Sequence, residues 1–153
     1  MPTVINNYPE YMTSARAGMR GTMYPAAFIS RTLTDVGGML FGSAVFQDPT
    51  NSNKCRNPAV GLTDLLGFAD RLEGMALPGS PNGYRQNEDV RIMTRGDIWV
   101  LVGANVTKGG IVTVTVADGS ISSAAPGAGI IQVRNARFEM DASAGNLALV
   151  RID

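Results

Sequence analysis

The sequence predicts an all-β protein, a small β-sandwich or barrel of jelly-roll-like kind with an extended N-terminal arm. Three observations carry that expectation. Short apolar runs recur at roughly 8–12-residue spacing, the rhythm of sandwich and barrel strands. Glycine and proline supply 18 and 8 of the 153 residues, and many stand between those runs as turn punctuation. Thirteen Val, nine Ile and eleven Thr stand against ten Leu, a balance that favours strands, where β-branched side chains pack well on a pleated surface. The length is that of one domain, and 44% hydrophobic residues suffice for a core in a chain of this size.

Residues 1–25 read as the extended arm and 26–153 as the single β domain. The first 25 residues hold Tyr8, Tyr11 and Tyr24 and four of the eight methionines, with no Leu or Phe. Pro2, Pro9 and Pro25 and the glycines Gly18 and Gly21 interrupt any regular element. Amphipathic tyrosines, adaptable methionines and the cations Arg16 and Arg20 suit a segment laid on another protein. A strand docked on its own domain is the other reading of the same residues. Ala26–Leu33 and Met39–Phe46 are strand candidates, and Asp48–Asn57 is a polar loop. Leu62–Leu72 is ambiguous, because its leucines recur at helical spacing while Gly67 interrupts them. Leu77–Gly83 is turn-rich. Val90–Thr94 and Ile98–Val102 flank a turn-like Arg95-Gly96-Asp97. Ile111–Val116 alternates Val and Thr, and Asp118-Gly119 is a hairpin signal. Arg134–Met140 alternates apolar and charged residues. Leu147–Ile152 closes the chain with a near-continuous apolar run that implies burial on both faces.

Charge and composition exclude several functions. Thirteen basic residues balance thirteen acidic ones, so neither nucleic acid nor an anionic membrane is an expected partner. No run approaches the ~18 apolar residues of a membrane span, and the first residues carry no secretory signal pattern. The single Cys55 permits neither an internal disulfide nor a thiolate metal cluster. The chain contains no His, which removes imidazole acid–base chemistry and His-based metal sites. Eleven Arg against two Lys, with nine Asp against four Glu, matches the usage of protein–protein interface cores; a genomic base-composition bias gives the same ratio.

No candidate catalytic, cofactor or metal site survives this reading, and the expectation is a non-enzyme with no cofactor. Glu88, Asp89 and Asp97 are acids beside turns, an ordinary placement. Cys55 sits between Lys54 and Arg56, where cations lower a thiol pKa, but lacks a His base. Trp99 lies inside an apolar run and is expected to pack in the core. The residues expected to make contact with a partner are Tyr8, Tyr11, Met12, Arg16, Met19, Arg20 and Tyr24.

Several segments in order resemble a known family. They are Phe41-Gly42 followed by Ala44-Val45, Leu66-Gly67-Phe68 after a Cys-containing loop, and Gly96-Asp97-Ile98-Trp99-Val100. Gly109-Gly110-Ile111-Val112 and the ending Ala142-Ser143-Ala144-Gly145-Asn146-Leu147-Ala148-Leu149-Val150 complete the set. Together they resemble the structural cement, or head decoration, proteins of tailed bacteriophages, over nearly the whole chain. The resemblance implies a capsid protein on the outer surface of an icosahedral head, made in the host bacterial cytoplasm, that clamps neighbouring capsomers. Its implied partners are the major capsid protein and a second copy of itself, as a dimer or a trimer. The family supplies no catalytic residues. A virion carbohydrate- or receptor-binding β module is the alternative, and exposed aromatics on a β face would mark it.

Overall fold

A computed structural model describes residues 15–71 and 82–153. Tyr8, Tyr11, Met12 and most of the Leu77–Gly83 loop lie outside the described residues. Eleven strands follow in chain order: β1 (Ala27–Leu33), β2 (Met39–Leu40), β3 (Ala44–Gln47), β4 (Lys54–Arg56), β5 (Leu65–Ala69), β6 (Gly83–Tyr84), β7 (Asp89–Leu101), β8 (Ile111–Thr115), β9 (Ile121–Ser122), β10 (Ile130–Phe138) and β11 (Leu147–Ile152). The described residues contain no helix, and the all-β expectation holds.

The strands form two rings that share β7. In the first, the order β1-β4-β3-β5-β7 closes because β1 also pairs with β7. In the second, the order β7-β11-β10-β8-β9 returns to the end of β7 through a parallel bridge between Val102 and Ile121. There the Gly103 N–H donates to the Ile121 carbonyl at 2.9 Å. Closure removes the exposed strand edges on which β proteins aggregate.

Gly96 makes the sharing possible. The Arg95-Gly96-Asp97 run is not a turn between two strands, as its residues suggest, but a bend inside the 13-residue β7. Gly96 has φ +125°, and a Cβ there would lie 3.0 Å from the Ala26 Cβ. The bend also shifts the alternation of buried side chains. Val90 and Ile92 face the first ring's interior together with Leu33, Val45, Cys55 and Ala69. Met93, Ile98, Val100 and Val102 face the larger core between the rings, with Phe46, Phe68, Phe138, Val112 and Val150. Strands β3 and β5 are therefore buried on both faces, which explains their nearly unbroken apolar sequences.

Other elements differ from the sequence expectation for local reasons. Met39–Phe46 splits into β2 and β3 because Gly42, at φ +79°, turns the chain between them. Within the ambiguous Leu62–Leu72, residues Leu65–Ala69 form strand β5, paired with β3 and β7, and Leu72 lies outside the described residues. The polar Asp48–Asn57 loop conceals β4, of which only Cys55 is buried. Strand β11 buries alternate residues rather than both faces. Trp99 is half-buried on the outer face of the second ring, opposite Leu149, and not in the core.

Cys55 is fully buried, and burial pushes its thiol pKa up to about 12. It therefore stays protonated at neutral pH and is unreactive, since the thiolate is the reactive form.

Candidate interaction surface

The described part of the N-terminal segment lies along the domain. Residues 16–19 make a turn, with the Met19 N–H donating to the Arg16 carbonyl at 3.1 Å. Residues 18–21 then pair with the second half of β7. The Gly18 N–H donates to the Trp99 carbonyl at 2.7 Å, the Trp99 N–H to the Met19 carbonyl at 2.9 Å, and the Gly21 N–H to the Asp97 carbonyl at 3.1 Å. Arg20 and Ile98 form an antiparallel bridge. The same edge of β7 is occupied further along by β1, also antiparallel. Residues 18–33 thus follow one edge of the shared strand, interrupted only at 22–26.

One glycine in the segment is required by close approach to backbone. Gly18, at φ +83°, sits against Gly42; a Cβ on Gly18 would lie 2.8 Å from the Phe41 Cβ, and one on Gly42 would lie 2.8 Å from the Gly18 nitrogen. Gly21 lies against Leu149, where a Cβ would overlap the side chain. The Arg71 guanidinium closes the turn by donating through Nε to the Ala17 carbonyl at 3.2 Å.

Two buried carboxylates fix the segment's side chains, in opposite electrostatic situations. Asp70 is 2% exposed and lies 3.5 Å from Arg91 Nε and 4.0 Å from Arg20 Nε. Both guanidiniums also lie over the Phe28 ring, at 4.5 Å for Arg20 and 3.9 Å for Arg91, a cation–π arrangement. Burial pushes the Asp70 carboxyl pKa up despite the two cations, and its Oδ1 has no hydrogen-bond donor. Asp97 is also 2% exposed but accepts a bidentate pair from Arg151, Nε to Oδ1 at 2.7 Å and Nη2 to Oδ2 at 2.9 Å. The Thr22 hydroxyl donates to the same carboxylate. The Arg151 and Thr22 hydrogen bonds hold the Asp97 carboxyl below its ordinary pKa.

A depressed folded-state pKa means that Asp97 contributes stability above the unfolded carboxylate value, and that this contribution is lost as pH falls through the folded value. The contribution of Asp97 is therefore expected to be lost on acidification below about pH 4, whereas Asp70, whose carboxyl is raised, opposes that loss. Replacing one partner of such a buried pair costs about 3 kcal/mol or more. Asp97→Asn should show that loss at pH 7 and a flatter acid limb in denaturant titrations across pH.

The sequence-predicted contact residues are placed as follows. Arg16 is exposed and Met19 half-buried, with the Arg16 N–H 3.3 Å from the Met19 Sδ. Arg20 is held by Asp70 and Phe28. The Tyr24 hydroxyl donates to Asp153 at 3.0 Å, and the Arg151 guanidinium lies 4.6 Å over its ring. Sequence reasoning missed Asp70 and Arg151 and set Asp97 aside as an ordinary acid beside a turn. The one signal was the occurrence of a charge within otherwise apolar runs, as at Asp97 before Ile98 and Arg151 before Ile152.

The acids weighed as a pair are separated. Asp89, the first residue of β7, accepts from the Thr32 hydroxyl at 2.8 Å, whereas Asp97, eight residues on, is held by Arg151 and Thr22, so the two acids have separate partners and do not pair. Among the described residues, no three acidic or Cys side chains group as metal ligands would.

The fold agrees with what known proteins show. A family model described as Structural cement protein (E217 gp24/Pam3 gp6) matches residues 4–153. The chain belongs to the phage structural cement proteins. A solved chain from "The capsid of Myoviridae Phage XM1" is similar in structure, with a TM-score of 0.69 at 20% identity over 99% of this chain and 98% of that chain. At that identity the likeness shows a shared fold. No curated protein matches the sequence significantly. Family membership makes this cement protein a structural component of a phage capsid with a shell-stabilising role.

Proposed function

We propose that the cement protein binds the outer surface of the assembled icosahedral head, clamps neighbouring capsomers and performs no catalysis. The major capsid protein is its partner, and a second copy of the chain lets one particle bridge two sites. The observation that carries this reading is the seating of residues 18–21 on β7. A segment tied to the strand shared by both rings passes any pull on it to the whole domain.

In this reading Tyr8, Tyr11, Met12 and Arg16 make the capsid contacts. Met19, Arg20 and Tyr24 fix the root of the arm, since Arg20 and Tyr24 already hold partners within the domain. Binding only to the assembled lattice stabilises that lattice by mass action. Two linked weak sites gain avidity through effective concentration.

The test is to add purified protein to heads that lack it. Saturable binding should raise the temperature at which the heads release DNA, and unassembled capsid protein should bind weakly. Equal affinity for unassembled subunits, or binding without a gain in head stability, would count against a clamp.

A further inference from the structure

We propose that residues 18–24, β7 and β11 form a mechanical clamp that resists tension applied between the two ends of the chain. The proposal concerns the isolated molecule and does not rest on the capsid reading.

The argument starts from strand directions. Residues 18–21 and β1 run antiparallel to β7 along one of its edges. Strand β11 runs antiparallel to β7 along the other, with Leu147 opposite Leu101 and Ile152 opposite Gly96. The two terminal segments are therefore parallel to each other with β7 between them. The N-terminal segment joins β7 at the level of Trp99, and the C-terminal strand leaves it at the level of Gly96. Pulling the ends apart slides the outer segments in opposite directions past β7. Backbone hydrogen bonds lie perpendicular to antiparallel strands, so this motion loads many of them in shear at the same time. Pulling sideways at one end of a ladder instead opens its bonds one after another.

Side chains lock the overlap. Asp97 of β7 accepts from Thr22 on one side and from Arg151 of β11 on the other. Tyr24 reaches across to the C-terminal residue Asp153, and its ring lies under the Arg151 guanidinium. Arg137 on β10 adds a bond to Asp153 at 2.6 Å. Sliding either terminal segment by one residue breaks these contacts together with the backbone bonds, and it drives the Gly18–Gly42 contact into a clash.

Single-molecule force spectroscopy tests the clamp. The protein is held in one arrangement by its two ends, and in the other by its C-terminal end and an Arg95→Cys attachment. Labelling is done on the folded protein, in which Cys55 is buried. Arg95 precedes Gly96, the partner of Ile152, so the second arrangement peels β11 from that pair. Forced unfolding is governed by the unfolding barrier, and the end-to-end arrangement should rupture at about twice the force of the peeling one. A Thr22→Val/Tyr24→Phe double variant should lower the end-to-end force by more than the peeling force, because peeling loads the Tyr24–Asp153 bond but not the Thr22–Asp97 one. Equal forces in the two arrangements, or a double variant with an unchanged end-to-end force, would overturn the proposal.

Discussion

Deleting residues 1–14 is expected to abolish decoration of heads lacking the protein, by at least about a thousandfold per site, if Tyr8 and Tyr11 are buried anchors worth about 2 kcal/mol each. Ordering a chain segment costs about 1–2 kcal/mol per residue, so several large side chains must lose water together for the arm to bind at all. Deleting residues 1–25 adds a second effect that the shorter deletion lacks. It removes three backbone hydrogen bonds to β7 and the Thr22 and Tyr24 contacts with Asp97 and Asp153. At about 1 kcal/mol each, the loss is about 3 kcal/mol or more, and the melting temperature of the longer deletion should lie roughly 10 °C below that of the shorter. Binding and melting curves of the two truncations separate the contributions. Decoration by the 15–153 protein at unchanged concentration would remove Tyr8, Tyr11 and Met12 from the contact. Equal melting temperatures would show that the root of the arm contributes nothing to the domain.

Gly67→Val is expected to destabilise the domain by about 3 kcal/mol, the upper end of the range for an overpacked core site. Gly67 lies fully inside the fold, where a Cβ would overlap the Met93 carbonyl oxygen and sit 3.1 Å from the Ile92 Cγ2. The obstacle is backbone of the neighbouring strand, so a side-chain rotation cannot relieve it. Relief requires β5 to move off β7, which breaks the pairing of Phe68 with Met93 and opens both cores at their common wall. Gly127→Ala is the control, because a Cβ there meets open space and such surface changes stay within about 0.5 kcal/mol. Chemical denaturation of the two variants checks the contrast. A Gly67→Val protein as stable as the parent would show that β5 and β7 are not in close contact.

What the sequence discloses depends on whether a residue's neighbours in the chain are also its neighbours in space. Strand β8 is legible because Val112 and Val114 alternate with Thr113 and Thr115, and the bounds of β11 are legible because Gly145-Asn146 precedes an apolar run of strand length. Strand β4 is not legible, because three residues with one buried side chain leave no period to detect. β7 reads as two strands because Gly96 next to an aspartate has the signature of a turn. Only the approach of Ala26 and the second ring shows why the chain bends there without reversing. The side-chain clasp is out of reach for the same reason. Asp97 and Arg151 are 54 residues apart, and nothing local marks them as partners. The composition of residues 1–25 is legible, but the seating of Gly18 follows from its contact with Gly42, which joins two distant turns.

Cryo-electron microscopy of heads saturated with the protein tests the central claim most directly. The account predicts the β domain on the outer surface astride the boundary between two capsomers, with density running from the Gly18 root onto the major capsid protein. A domain seated within a single capsomer, or an arm that makes no contact with the capsid protein, would contradict it.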